Sequence, residues 1–215
     1  NLNLAPFLGL ENPDNPAIGR FGRCFSHDPL KVAAYARAFV EGFSAGGILC
    51  ALKHFPGQGA ALTDSHKVLP DLSAEWSASD LYPFRHLIGA GGIPAVMSGF
   101  SLSRSLSADG LPAVLSPDIV TGLLRQKLEF RGVAITDDLD MGAVGFGKER
   151  RWVTLQALNA GNDLLIIRNR EHPDHDLPGS FASWMEEAVA AGALPRQALD
   201  ATVQRILAFR NSLRV

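Results

Sequence analysis

Short apolar runs alternate along this sequence with longer stretches of helical periodicity, and this alternation restricts the possible folds more than any other feature. The runs typical of buried strands cover residues 2–8, 47–54, 93–98, 132–136 and 163–167. The stretches typical of helices cover residues 29–45, 79–89, 116–128, 149–160, 181–191 and 196–213. Strands that alternate with helices predict βα units around a parallel sheet, so the expected fold class is α/β.

The number of strands leaves two architectures open. A (β/α)8 barrel needs eight strands and typically ~250 residues, whereas about five strand-like runs occur in these 215 residues. Either strands are missing at one end of a barrel, or the sheet is open. The chain is 47% hydrophobic and has no internal repeat, long linker or low-complexity block. Residues 1–215 are therefore predicted to form a single domain around one core.

Charge and composition exclude several classes of partner. The net charge of −2 arises from 20 basic and 22 acidic residues that are spread along the chain, so neither a nucleic-acid-binding surface nor a patch for anionic membranes is indicated. No run reaches the ~20 apolar residues of a membrane span. The two cysteines, Cys24 and Cys50, are too few for a disulfide framework and fit a reducing compartment. The expected partner is small and weakly charged.

Polar side chains follow two of the predicted strands, at the point where α/β folds assemble their sites. After the run 47–52 come Lys53-His54-Phe55-Pro56-Gly57-Gln58-Gly59 and then Asp64-Ser65-His66. After the run 132–135 come Thr136-Asp137-Asp138-Leu139-Asp140-Met141. We expect the candidate site among these two groups.

Asp64 and His66 are two residues apart, so their side chains can meet in an extended or turn segment. The carboxylate would then accept one imidazole N–H and fix the tautomer. The other ring nitrogen would be left to exchange a proton with a substrate, and the usual histidine pKa of about 6.5 suits that role near neutral pH. The spacing is equally compatible with an Asp-Ser turn that carries a solvated histidine.

Asp137 and Lys53 each have two interpretations. A carboxylate at the end of an apolar strand is held rigidly, as a nucleophile or a metal ligand must be; alternatively, Asp137 or Asp138 caps the following helix. A strand lysine whose pKa is lowered by burial can form a Schiff base. Alternatively, Lys53 and His54 orient a substrate through its hydroxyl groups, provided that the backbone turns between them.

One further segment contains several residues of the types that commonly bind metal ions. It consists of Glu171-His172-Pro173-Asp174-His175-Asp176. Because the cluster lacks a recognised ligand spacing and Pro173 marks irregular chain, it is interpreted as a solvated loop.

Taken together, the motifs that start at Lys53, Asp64 and Ile135 resemble those of glycoside hydrolase family 3, and within it the bacterial β-N-acetylhexosaminidase branch. They read Lys-His-Phe-Pro-Gly-x-Gly, Asp-Ser-His and Ile-Thr-Asp-Asp-Leu-Asp-Met. The resemblance extends over nearly the whole chain, through segments such as Ala5-Pro6, Asn15-Pro16, Arg23-Cys24-Phe25, Ala160-Gly161-Asn162-Asp163 and Arg205-Ile206-Leu207.

The resemblance implies a TIM-type (β/α)8 barrel with Asp137 as the nucleophile of a retaining enzyme. It implies that the acid/base is a dyad of Asp64 and His66, and that the sugar is bound by Arg23, Lys53 and His54. No metal or organic cofactor is implied. The implied activity is exo-β-N-acetylglucosaminidase, which removes terminal N-acetylglucosamine from glycans, with muropeptides of cell-wall recycling in the bacterial cytoplasm as the expected substrates.

The sequence departs from the family pattern in three places. Gln58 stands where the family usually has His, and Ser98-Gly99-Phe100 stands where it has a Thr-Ala-His-like sequence; we expect altered loop packing or substrate range from these changes. The family's first two βα units, with an Asp-x-Glu-Gly-Gly segment, are absent. We therefore expect this chain to begin at the third strand, either as part of a longer enzyme or with the missing piece supplied by another chain.

The departures leave two other functions open. One is a non-catalytic sugar-binding remnant that keeps Arg23, Lys53 and His54. The other is a different specificity within the family, such as β-glucosidase, although the Asp64/His66 dyad argues against it.

Overall fold

Five parallel strands form the centre of the described part of the chain, which comprises residues 1–65, 67–141, 149–170 and 173–213 of the computed structural model. The strands are β1 (Leu2–Asn3), β2 (Leu49–Phe55), β3 (Ala95–Ser98), β4 (Val133–Asp138) and β5 (Leu164–Ile166). They lie side by side in chain order, and each pairs in parallel with the next. The sheet curls into a half-barrel, with all carboxyl ends of the strands at one edge.

Helices connect the strands, as the alternation in the sequence predicts. They are α1 (Pro29–Ala45), α2 (Ala78–Gly89), a π-helix (Asp118–Lys127), α3 (Arg150–Ala160), α4 (Leu177–Ala190) and α5 (Arg196–Ser212). None of the described helices combines the length and the apolar content needed to cross a membrane.

Two helix starts show how local sequence sets the boundaries. α1 begins at Pro29 because Asp28 accepts a hydrogen bond from the Leu30 N–H, in the cap-then-proline order. The stretch predicted to start at residue 79 begins one residue earlier, at Ala78. The cap of α2 is Ser77, which forms a reciprocal capping box with Asp80.

The first strand is much shorter than residues 2–8. Regular pairing with β2 covers only Leu2 and Asn3, and one isolated bridge follows between Phe7 and Lys53. Pro6 has no N–H to donate to a ladder, which interrupts the pairing in the middle of the predicted strand. The described residues thus form an open half-barrel, and a closed eight-stranded barrel is not present among them.

The two faces of the sheet are covered differently. One face packs against α1, α2 and the π-helix, through alternate strand residues such as Leu52, Val96 and Ala134. The opposite face carries Ala51, Ala95, Met97, Val133 and Ile135, and all five cluster with Phe209 of α5. Alternation of side chains along each strand produces this division, since neighbouring residues point to opposite faces.

A buried carboxylate joins three elements at the amino ends of the strands. The Asp163 side chain is fully buried directly before β5. It pairs with Arg125 of the π-helix, accepts from the Arg205 Nε of α5 at 2.9 Å and accepts from the Ala134 backbone N–H of β4 at 2.9 Å. Loss of this carboxylate would leave two guanidinium groups without their counter-charge, one of them largely buried.

We predict that Asp163→Ala lowers the free energy of unfolding by about 3–5 kcal/mol, the usual cost of breaking a buried ion pair. Urea titration followed by circular dichroism measures it. The control is Asp200→Ala, which removes an exposed partner of Arg196 and should cost less than about 1 kcal/mol. Equal losses for the two variants would contradict a stabilising role for the buried network.

Candidate active site

The carboxyl end of β2 presents Lys53 and His54 to the candidate site. The Lys53 N–H donates to the Pro6 carbonyl at 3.0 Å, and the Lys53 carbonyl accepts from the Leu8 N–H at 2.7 Å. The His54 ring packs against Phe7, with the ring centroids 5.7 Å apart, and is largely buried. Lys53 and His54, two of the three predicted sugar-binding residues, are therefore held by contacts to the segment that follows β1.

His54 and Asp137 meet across the sheet. The His54 Nε2 atom lies 3.4 Å from Oδ2 of Asp137, at the end of β4. β3 lies between the two strands in the sheet order, so this contact spans a neighbouring strand. It joins two motifs that are more than eighty residues apart in the sequence.

The aspartates that follow Asp137 are engaged in contacts that hold the loops. Asp138 pairs with the Arg168 side chain and accepts from the backbone N–H groups of Asp140 and Arg168, at 3.0 and 3.1 Å. Asp140 receives two hydrogen bonds from Arg150, each of 3.2 Å, and one from the Asn169 N–H at 2.6 Å.

Asp137 differs from both of these neighbours. Its Oδ1 accepts from the Asp138 N–H at 2.8 Å, while its Oδ2 faces His54. α3 has Glu149 at its N-cap position, so neither Asp137 nor Asp138 caps that helix. Of the three carboxylates, Asp137 has the geometry that suits a reaction with a bound molecule.

Lys53 lies within electrostatic range of Asp137 and Arg23. Burial lowers the pKa of Lys53, the negative charge of Asp137 raises it, and the positive charge of Arg23 lowers it again. Arg23 lies in the loop after β1, where it donates to the Ala17 carbonyl at 3.1 Å and covers the Phe21 ring at 5.2 Å. Asp137 thus has His54 in contact and Lys53 within electrostatic range, and Arg23 lies within electrostatic range of Lys53.

The predicted Asp64/His66 dyad is described in part. Asp64 is half-buried in the loop after β2, and its carbonyl accepts from the N–H groups of Lys67 and Val68 at 2.9 and 3.0 Å. The backbone therefore turns at Asp64. His66 lies outside the described residues, so the contact between the two side chains stays a prediction.

The residues that depart from the family pattern are buried beside the site. Phe100 is fully buried and packs with Val114, Leu139 and Met141, beneath the segment that follows β4. Gln58 is 3% exposed, and its carbonyl accepts from the Asn15 side chain at 3.0 Å. The Phe100 side chain thus supports the segment after β4, and the Gln58 backbone connects the loop after β2 to the loop after β1.

Three buried polar residues hold the strand ends and the adjoining loops together, although the sequence analysis assigned none of them a function. Thr136 accepts from the Ile166 N–H at 2.9 Å, and Ser98 donates to the Asn162 side-chain oxygen at 2.7 Å. The Asn162 amide donates in turn to the carbonyls of Val114 and Ala157. The only sequence signal for Asn162 is its place in the Ala-Gly-Asn-Asp segment of the family pattern.

The cluster at residues 171–176 has mainly structural contacts where it is described. Asp176 caps α4, and the backbone of Asp174 exchanges two hydrogen bonds with the Asn169 side chain. His175 is exposed, and Glu171 and His172 lie outside the described residues. The described part fits the predicted solvated loop.

Comparison with known proteins gives consistent matches. The family model described as "Glycosyl hydrolase family 3 N terminal domain" matches residues 1–209. Beta-hexosaminidase A of Pseudoalteromonas piscicida is 32% identical over 231 residues, which cover 99% of this chain and 38% of the relative. Beta-hexosaminidase of Tolumonas auensis is 40% identical over 174 residues, which cover 79% of this chain and 50% of the relative.

Solved structures agree with the sequence matches. A glycoside hydrolase family 3 beta-N-acetylglucosaminidase from Paenibacillus sp. str. FPU-7 superposes with a TM-score of 0.88 at 33% identity. The match covers 99% of this chain and 40% of that protein. The chain spans half or less of the length of these three relatives.

We predict that Asp140→Ala lowers the free energy of unfolding by about 1.5–3 kcal/mol, the usual range for hydrogen bonds to a charged group. Asp137→Asn should leave stability within about 0.5 kcal/mol, because the amide oxygen can still accept from the Asp138 N–H. Denaturant titration of both variants tests the assignment. A larger loss for Asp137→Asn than for Asp140→Ala would show that the roles of the two carboxylates are reversed.

Proposed function

The chain belongs to glycoside hydrolase family 3, and on that premise we propose that the whole protein is a retaining exo-β-N-acetylglucosaminidase. The observation that carries this proposal is the position of Asp137, which faces His54 at the carboxyl edge of the sheet while Asp138 and Asp140 are engaged by arginines. A glycosidase nucleophile must be rigidly held and unobstructed on one side, and Asp137 meets both requirements.

Sugar binding is assigned to Arg23, Lys53 and His54. Lys53 and His54 are among the last three residues of β2, and Arg23, in the loop after β1, lies within electrostatic range of Lys53. Their N–H groups suit the hydroxyl groups of a terminal sugar, and His54 and Lys53 lie close to Asp137. A sugar bound in this way would place its anomeric carbon within reach of the Asp137 carboxylate.

The reaction follows the two-step course of retaining glycosidases. In the first step, an oxygen of Asp137 forms a bond to the anomeric carbon as the glycosidic bond breaks, and His66 gives its proton to the departing oxygen. In the second step, His66 takes a proton from water, and the water oxygen displaces Asp137 from the anomeric carbon. Asp64 stabilises the imidazolium form of His66, and the sugar leaves with its β configuration retained.

The substrate is proposed to be a terminal N-acetylglucosamine on a glycan, with muropeptides in cytoplasmic cell-wall recycling as the physiological source. Support comes from the resemblance to the bacterial branch of the family and from the names of the relatives, beta-hexosaminidase and beta-N-acetylglucosaminidase. Assays of 4-nitrophenyl N-acetyl-β-glucosaminide beside the β-glucoside separate this specificity from that of a β-glucosidase. Sugar binding without turnover of either compound would favour a non-catalytic sugar-binding protein.

We predict that Asp137→Asn abolishes turnover, because an amide oxygen is a poor nucleophile and cannot form the glycosyl-enzyme. A 2-deoxy-2-fluoro or 5-fluoro glycosyl inactivator should label Asp137 in the active protein, as located by peptide mass spectrometry. The Asp137→Asn variant is the matched control and should remain unlabelled. A label on Asp138 or Asp140 would show that the nucleophile is misassigned.

We predict that His66→Ala slows hydrolysis by about 10²–10⁴, the usual contribution of general acid–base catalysis. Glycosides with poor leaving groups should lose more than activated aryl glycosides, which need little protonation to depart. Asp64→Asn should change the rate in the same direction, because the imidazole loses the partner that orients it. Steady-state rates on two leaving groups measure the effect.

His86→Ala provides a control, since His86 is exposed on α2. Unchanged rates for both His66→Ala and Asp64→Asn on a substrate with a poor leaving group would show that Asp64-Ser65-His66 is an ordinary turn with no acid/base function.

A further inference from the structure

Two adjoining cavities lie between the π-helix, α5 and the start of β4. The first has a volume of about 540 Å³, and its wall includes Arg125, Arg131 and Arg205. The second has a volume of about 400 Å³ and shares Arg131 and Arg205 with the first. We call the two cavities together the arginine cleft. Val133, the first residue of β4, lines it, so the cleft lies at the edge of the sheet opposite the candidate active site.

The arginine cleft has more positive than negative charge. Arg125 and Arg205 share a single carboxylate, that of Asp163. The Arg131 side chain is exposed and forms no hydrogen bond or ion pair with any other residue in the described part of the chain. The described residues that line the two cavities include neither Asp nor Glu. Because arginine stays protonated in proteins, three positive charges are set against one negative charge.

Arg205 is held in place and still has donor groups to offer. Its Nε donates to Asp163 at 2.9 Å and its Nη2 donates to the Thr202 hydroxyl at 3.1 Å. Its Nη1 has no hydrogen-bond partner among the residues that the structure describes. Arg131 offers its whole guanidinium group. A fixed donor beside a free one can bind an anion from two directions.

The remaining wall of the larger cavity is partly apolar. Phe130, Ala198 and Ala201 line it together with the arginines, and the Arg125 guanidinium group lies over the Phe130 ring at 5.5 Å. The volume of this cavity falls within the roughly 300–1,000 Å³ of small-molecule sites. The cleft can therefore hold a ligand that joins a compact anion to an organic group.

We propose that the arginine cleft binds a phosphate monoester. Arg131 and Arg205 bind the phosphate oxygens, because a phosphate group carries up to two negative charges at neutral pH and matches the donor fork of a guanidinium group. The organic group lies against Phe130 and the alanines of α5. The site uses no residue of the proposed hydrolytic reaction, so it stands or falls independently of that function.

Isothermal titration calorimetry tests the ligand class, with inorganic phosphate and phenyl phosphate as the two probes on the 215-residue chain. Both should bind saturably at about 0.15 M ionic strength, where attraction between distant exposed charges is largely screened. Phenyl phosphate should bind more tightly, because its ring can contact Phe130. Equal or weaker binding of phenyl phosphate would contradict the placement of the organic group. Absence of saturable binding of both probes would overturn the site.

Arg131→Gln tests the location of the phosphate group. The variant should weaken binding of phenyl phosphate about tenfold or more, the usual effect of losing a hydrogen bond to a charged group. The matched control is Arg210→Gln, which removes the same charge from an exposed residue of α5 that lines neither cavity. Its affinity should stay within about twofold of the original, because the lost charge is screened. Equal losses for the two variants would indicate a general attraction of anions and overturn the proposal.

Ala201→Glu tests the cleft from the side of α5. Ala201 is exposed on this helix and lines the larger cavity, so the substitution places a carboxylate in the wall while keeping a residue that favours helix. Binding of both probes should be lost, and circular dichroism should show an unchanged fold. Unchanged affinity in the folded variant would overturn the proposal.

The same variants separate this site from the candidate active site, where Arg23 and Lys53 also carry positive charge. Phosphate bound at the active site would be insensitive to both Arg131→Gln and Ala201→Glu, and that result would overturn the arginine cleft. Loss of binding in both variants supports the cleft whether or not the protein hydrolyses a glycoside, because the readout is binding and not turnover.

Discussion

The parallel pairing of β2, β3 and β4 places the carboxyl ends of three strands at one edge of the sheet, and the candidate active site depends on that arrangement. His54 and Asp137 meet only because the strands that carry them flank β3. The loop after β1 contributes Arg23 and is tied to the loop after β2 by the Asn15 side chain, which donates to the carbonyls of Gln58 and Gly59.

The aspartates of this chain show how environment assigns different roles to the same side chain. Asp163 is fully buried at the amino ends of the strands and stabilises the packing of helices on the sheet. Asp138 and Asp140 hold the loops beyond β4 through Arg168 and Arg150. Asp137 has a histidine as its neighbour and is partly exposed. Stabilising carboxylates thus lie at both edges of the sheet, whereas the proposed chemistry is confined to the carboxyl edge.

The departures from the family pattern have a common structural character. Gln58 and Phe100 are buried, and Gly99 lies against the His54 side chain. Changes at such residues act through the neighbours that they pack against. Protein interiors are close-packed, so a difference of one methyl group behind a site can move the groups in front of it.

The sequence by itself determined the order and type of the main elements. Apolar runs with strand character and stretches with helical period identified the five strands and the helices between them, since both periods depend on local geometry. The exact ends and the detailed form of some elements were less well determined by the sequence. The cap of α2, the shortened β1 and the π-helical form of residues 118–127 all depend on hydrogen bonds to specific partners.

Local motifs also identified where the candidate site would form, because polar residues directly after buried strands stand out in the sequence. The family resemblance already pointed to Asp137 among three neighbouring aspartates. Only the tertiary structure showed that the other two are engaged by Arg150 and Arg168, and Arg168 comes thirty residues after Asp138. The contact between His54 and Asp137 likewise could not be predicted from the sequence. It arises from the order and spacing of the strands, which are fixed only when the sheet has formed.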